Sequence, residues 1–139
     1  MAGNRKKLKG RTAGKFALVP LAVLDSPAYK ALNWAARALL LELAAQYHGH
    51  NNGDLCASYA VMKARGWQRS TLQRAVEELE AAGFIVKTRQ GGRHVCNLYA
   101  LTWQAIDPCS GKQLDAGFTV GGPALHLYRK TQTLARLSG

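Results

Sequence analysis

The chain has 139 residues, a formal charge of +11 and three cysteines, which fits one domain with tails and a core able to fold without disulfides. Cys56, Cys96 and Cys109 lie far apart with no C-x-x-C pair; this argues against a zinc ribbon or disulfide framework and for a reducing compartment, here expected to be cytoplasmic. Apolar runs fall short of the roughly 18 residues of a membrane span, and Gly10, Arg11, Thr12, Gly14 and Lys15 interrupt any signal-peptide core, so no membrane partner is expected.

The charge is uneven along the chain. Residues 1–15 carry +6 without an acid, residues 16–107 carry +2, and residues 108–139 carry +3. A cationic excess attracts polyanions, and nucleic acid is the commonest of these. The first 15 residues are Gly-punctuated and poor in apolar side chains, the composition of a disordered basic arm. Its Arg5, Lys6, Lys7, Lys9 and Arg11 suit contact with phosphates or a minor groove.

Phe16–Leu24 follows as an apolar lead-in, expected to lay Phe16, Val19 and Leu21 on the core; Pro20 excludes a central strand. Asp25-Ser26-Pro27 supplies a cap and an N1 proline for a short helix. Asn33 then caps a helix over Trp34–Tyr47. This helix has two apolar stripes, one through Leu32, Ala35, Ala36, Leu39, Leu40, Leu43 and Tyr47, the other through Trp34, Ala38, Leu41 and Ala45. A helix apolar nearly all round is covered on more than one side. Two covers fit: the chain's own N-terminal segment or C-terminal tail, or a homodimer seam through Trp34, Leu41 and the C-terminal segment.

His48–Asp54 carries strong turn chemistry and reads as a surface loop. His48, His50, Asp54 and Cys56 show no recognised ligand spacing, so neither a metal nor another cofactor is expected. Leu55-Cys56 offers a short third strand. Ser58 caps a helix over Tyr59–Arg65, which Gly66 ends.

In the next helix Leu72, Ala75, Val76 and Leu79 fall at i, i+3, i+4 and i+7, one buried stripe. Two starts fit: Gln68 as cap, or Ser70 with Gln73 as a capping box that would commit Gln73 to backbone. The opposite face begins polar and basic, with Gln68, Arg69, Ser70, Thr71, Gln73 and Arg74. Glu77, Glu78 and Glu80 crowd the far half, against the helix dipole. Arg74 can pair with Glu78 at i+4 and can also face a polyanion, since an ion pair can orient the side chain toward it.

Gly83 supplies a left-handed cap. Phe84–Arg89 and His94–Trp103 read as a hairpin whose Gly91-Gly92 turn meets a positive-φ demand. It is apolar at its base (Phe84, Val86, Tyr99, Leu101, Trp103) and basic at its tip (Lys87, Arg89, Arg93, His94), which suits phosphate contact. Residues 108–139 loosen into a Gly-rich linker, with Pro123–Leu137 as a short helix.

With these elements in order, residues 16–106 resemble the winged helix-turn-helix superfamily. The resemblance rests on FALVPLAVLDSPAYKAL, NNGDL, GWQRSTLQRAVEELEAAGFI and NLYALTW, and is similar to small replication-associated proteins of phages and mobile elements. Trp67 stands where a small aliphatic residue is usual, and Gln68 where Ser is usual. The expected fold is mainly α with a small antiparallel β-sheet (α+β), a winged domain over 16–107 between the arm and a C-terminal extension. The resemblance implies double-stranded DNA as partner. It sends Gln68, Arg69, Ser70, Thr71, Gln73 and Arg74 into the major groove and the wing residues Arg89, Gly91 and Arg93, with Lys87 at the basic tip, onto the backbone.

The expected function is that of a transcriptional regulator or replication accessory protein of a mobile element. The alternative is a winged protein–protein interaction module in a nucleoprotein or defence complex. RNA binding lacks an exposed aromatic platform, because Trp34, Trp67 and Trp103 all fall at expected core positions. An enzyme is not expected: no paired carboxylates, nucleophile–base set or phosphate loop appears at usable spacing.

Overall fold

The computed structural model describes residues 10, 12, 14–109 and 114–129; Arg5, Lys6, Lys7, Lys9 and Arg11 of the expected arm lie outside them. The fold is mixed α and β, helical first and closing on an antiparallel pair of strands. Two single-turn helices, α1 (Leu21–Leu24) and α2 (Pro27–Lys30), lead into α3 (Trp34–Gln46). The Ser26 hydroxyl accepts from the Tyr29 amide and donates to the Val23 carbonyl, joining α1 to α2. Asn33 Oδ1 accepts from the Ala36 amide at 2.9 Å and starts α3. The starts of α2 and α3 follow from these local capping side chains, whereas α1 begins after Pro20 without one.

One turn of helix, α4 (Tyr59–Met62), continues as a 3₁₀ turn over Lys63–Arg65 and stops at Gly66, φ 89°. Then α5 (Arg69–Ala82) begins at Gln68, which makes no side-chain cap bond. The Ser70–Gln73 box is not formed, and Gln73 Nε2 donates instead to Glu77 at i+4 (3.4 Å). Leu72, Ala75 and Leu79 bury against Leu39, Leu40 and Leu43 in one core with Met62, Phe84 and Ile85.

The acidic half of α5 has a physical explanation. Glu78 accepts from the Asn33 amide at 2.8 Å and from the Asn33 side chain, so its carboxylate sits at the N-terminus of α3. There the macrodipole favours a negative charge. Glu78 is thus occupied by α3.

Gly83 (φ 84°) turns the chain from α5 into β1 (Ile85–Arg89), which pairs antiparallel with β2 (Leu98–Leu101). Ile85 faces Leu101 and Lys87 faces Tyr99, with the register broken between Lys87 and Arg89. On the far edge of β2, Leu55 exchanges both backbone bonds with Tyr99 (3.1 and 2.9 Å), a single bridge where a third strand was expected. β2 starts later than the predicted His94, because residues 90–97 form an irregular loop. The positive φ there belongs to His94 (67°). Gly91 is needed for a different reason: a Cβ would collide with the backbone of Val95, Cys96 and Asn97.

Two other departures concern burial. Asn52, read as part of a surface loop, is completely buried. Its Nδ2 donates to the carbonyls of Leu101, Gln104 and Ala105, and its Oδ1 accepts from the Leu101 amide at 2.7 Å. Phe16, Leu21 and Trp34, expected in the core, are 63%, 74% and 79% exposed; Val23 takes the core position instead. Trp103 is buried and Trp67 half-buried.

Residues 114–129, expected as linker and short helix, run over the sheet and the end of α5. The Asp115 amide donates to Thr88 O, Gly121 N to Ile106 O, and His126 N to Thr102 O. Tyr128 stacks on Phe84 with ring centroids 5.2 Å apart and 11° between planes, and Tyr29 meets Phe84 edge-on. This segment leaves the Trp34/Leu41 stripe uncovered.

A Cβ at Gly83 would lie 2.6–2.7 Å from Leu127 and Tyr128 backbone atoms, whereas Gly66 has open space around it. Gly83→Ala therefore meets both a left-handed φ and a steric clash, and should cost more than about 2 kcal/mol in a urea melt. Gly66→Ala, which meets only the conformational term, should cost about 1 kcal/mol. His126 makes a second test. Burial, and secondly Arg129, lower its pKa, and its Nδ1 is buried without a partner. The unfolded chain then binds the proton more readily, so stability is flat above the unfolded value of about 6.5 and falls as pH drops below it. His126→Asn, which tolerates the positive φ, should reduce that acid-side loss of Tm.

Candidate nucleic-acid interface

A trough runs between α5 and the hairpin. Its floor is Ala57, Leu72, Val76 and Tyr99; Arg69, Gln73, Glu77 and Glu80 stand along one wall, and Lys87 and Asn97 along the other. Ala57, Asn97 and Tyr99 also floor a neighbouring depression rimmed by Ser58, Gln90, Gly91, Gly92 and Val95. The two depressions adjoin through Ala57, Asn97 and Tyr99, one beside the N-terminal half of α5 and the other beside the hairpin loop. Helical spacing distributes the remaining α5 residues. Ser70 and Arg74 point outward from the core stripe and are exposed, and Thr71, half-buried, turns toward the α3 side with Glu78.

The wall residues differ in how free they are. The Arg69 guanidinium lies over the Tyr59 ring, 4.2 Å from its centroid, a contact worth roughly 0.5–1 kcal/mol at an exposed site. It anchors the Arg69 guanidinium on α4, beside the first turn of α5. Gln68, Arg74, Arg93 and His94 are exposed. Lys87 Nζ donates to Gln90 Oε1 at 3.2 Å.

Arg89 departs from the tip position expected for it. Its Nη2 donates to the Cys96 carbonyl at 2.9 Å across the hairpin, and its Nε is buried. The register break after Lys87 turns this side chain inward, where it ties the loop to β1. Gly91 likewise acts within the loop, its amide donating to Asn97 Oδ1 at 2.6 Å.

Beneath the trough, Cys96 and Tyr99 are both shifted away from ionisation. Burial raises the Cys96 thiol pKa, and the adjacent Cys56 thiol raises it further. Burial raises the Tyr99 phenol as well, against a lowering hydrogen bond from Asn97. The charge of the surface therefore comes from its walls: arginines at the α5 start and loop tip, carboxylates Glu77 and Glu80 toward the α5 end. Among the described residues no group of three His, Cys, Asp or Glu side chains is arranged to hold a metal, and no helix is long and apolar enough to cross a membrane.

Sequence reasoning passed over Tyr59 and Asn97, which position Arg69 and the loop. Asn97 did carry a signal: an asparagine inside an expected strand, where that residue is disfavoured. Comparison with protein-family models, with curated proteins and with solved structures finds no match to this chain.

The inward turn of Arg89 separates it from Arg93. Arg89→Ala should lower the free energy of unfolding by about 1.5–3 kcal/mol, as loss of a hydrogen bond from a charged group does. Arg93→Ala should leave it within about 0.5 kcal/mol. Urea titrations of the two variants beside the parent decide this.

Proposed function

We propose that this chain binds double-stranded DNA, with the N-terminal half of α5 in the major groove and the hairpin loop and basic N-terminal residues on phosphates. The observation that carries this reading is the adjacency of two depressions, one lined by Arg69 and Gln73 and the other by the Gly91-Gly92 loop, which share Ala57, Asn97 and Tyr99. Exposed Arg74 and Arg93 lie next to these residues in the chain, and the whole bears a formal charge of +11. A helix with exposed polar side chains on its first turns fits a groove about 12 Å wide, and Arg pairs bidentately with guanine there. Gln68, Arg69, Ser70, Gln73 and Arg74 are the base-reading candidates, with Thr71 at the α3 edge. Arg93, with Lys87, contacts backbone, and Arg89 and Gly91 shape the loop.

In this reading the protein belongs to the winged helix-turn-helix class and serves as a transcriptional regulator or replication accessory factor of a mobile element. Glu77 and Glu80 orient the complex. They repel phosphates from the C-terminal half of α5 and leave its N-terminal half as the point of approach. A protein–protein module in a nucleoprotein or defence complex is the second reading, favoured by the exposed Trp34 and Leu41 of α3.

Fluorescence anisotropy with a duplex selected from random-sequence DNA tests the proposal. Arg93→Ala should flatten the log–log salt dependence by about 0.9 for each phosphate the variant no longer neutralises. Arg69→Ala or Arg74→Ala, where the side chain reads a base, should remove about 1–3 kcal/mol of discrimination against the altered base pair. A triple variant that binds every duplex as the parent does would overturn the DNA reading.

A further inference from the structure

The outward stripe of α3 is the least expected surface of the molecule. Trp34 is 79% exposed and Leu41 57%, and Ala38 and Ala45 between and beyond them are exposed too. Phe16 (63%) and Leu18 (74%) flank the Ala45 end of the same helix. These exposures correspond to roughly 600 Å² of apolar surface per copy, hence on the order of 1,200 Å² if two copies meet, the lower bound of a standard interface.

The stripe carries information about its occupant. Trp34, Ala38, Leu41 and Ala45 are spaced by four, three and four residues, the seam spacing of paired helices, and alternate large and small. A two-fold axis crossing α3 between residues 39 and 40 brings Ala38 of one copy against Leu41 of the other, and Trp34 against Ala45. Every bulky side chain then faces an alanine, and every contact occurs twice, as an isologous interface requires. Parallel pairing in register would instead set Trp34 on Trp34 and leave gaps where alanines meet.

The flanking charges are held within their own chain, with the Arg37 guanidinium lying over the Trp34 ring, 4.5 Å from its centroid. Arg37 donates to the carbonyls of Leu32 (3.2 Å) and Lys30 (2.7 Å) in its own chain. Glu42 is paired with Arg65 at 2.9 Å. Ala17 and Val19 border the hollow beside Trp34, Ala38 and Leu41 but leave those three side chains exposed, and among the described C-terminal residues Tyr128 is stacked on Phe84.

We infer that the chain forms a homodimer by antiparallel packing of α3 on α3 of a second copy, with Ala38 opposite Leu41 and Trp34 opposite Ala45. The inference does not rest on DNA binding, and either can fail alone.

Sedimentation equilibrium of the full chain tests it, with the parent expected at twice the 15.1 kDa chain mass. Ala38→Leu alone overcrowds the seam and Leu41→Ala alone hollows it; each should weaken the dimer at least about tenfold. The two substitutions together exchange large and small positions. They should return the dissociation constant to within about threefold of the parent, a coupling that only facing residues show. Both positions are exposed, so unchanged far-UV circular dichroism spectra and a cooperative melt verify that the variants fold. A parent that sediments at the single-chain mass, a single variant as dimeric as the parent, or a double variant no tighter than the singles would each overturn it.

Discussion

The left-handed turn at Gly83 is the constraint on which the arrangement depends. It converts the end of α5 into the start of β1 within two residues, so the hairpin direction relative to α5 is set there. The turn is locked from three sides: Thr102 Oγ1 donates to the Gly83 carbonyl at 2.6 Å, Thr102 N donates to the Phe84 carbonyl, and the backbone of Leu127 and Tyr128 closes over the missing Cβ. Phe84, wholly buried between Tyr29 and Tyr128, then fastens the turn to the core. If the turn opened, α5 and the hairpin would no longer share a concave surface, and the trough between Arg69 and the loop would not exist.

Carboxylates and cations are used differently. Glu78 serves the N-terminus of α3, Glu42 holds Arg65, Asp107 accepts from the Asn52 amide, and Asp115 accepts from Gln90 N. Each of these acids is tied to a structural partner across the chain. Arg74 and Arg93, by contrast, stand exposed, and Arg69 leans on an aromatic face.

Helix α3 joins the two surfaces. Its inner side, Ala36, Leu39, Leu40 and Leu43, is the bed on which α5 rests, while its outer side carries the alternating stripe. A dimer built on the outer side would hold two α5 helices in fixed relation by symmetry, because the same rigid helix borders both the seam and the core. The domain interior would transmit the spacing without further contacts.

The sequence by itself determined the local features. Ser26, Asn33 and Ser58 cap where their side chains reach their own backbone, Gly66 and Gly83 end helices, and Leu72, Ala75 and Leu79 mark the buried stripe of α5. All of these depend on neighbours within a turn or two, so spacing reveals them. Only the tertiary structure decided the rest. Asn52 is a buried hub because three carbonyls some fifty positions away converge on it. Arg89 turns inward because a register break offers it the Cys96 carbonyl. Tyr128 reaches Phe84 across a segment with no periodicity of its own. Trp34 is exposed because α5 and Phe84 fill only one side of α3. In each case the partner is distant in the chain, and no side-chain pattern records which distant group will arrive.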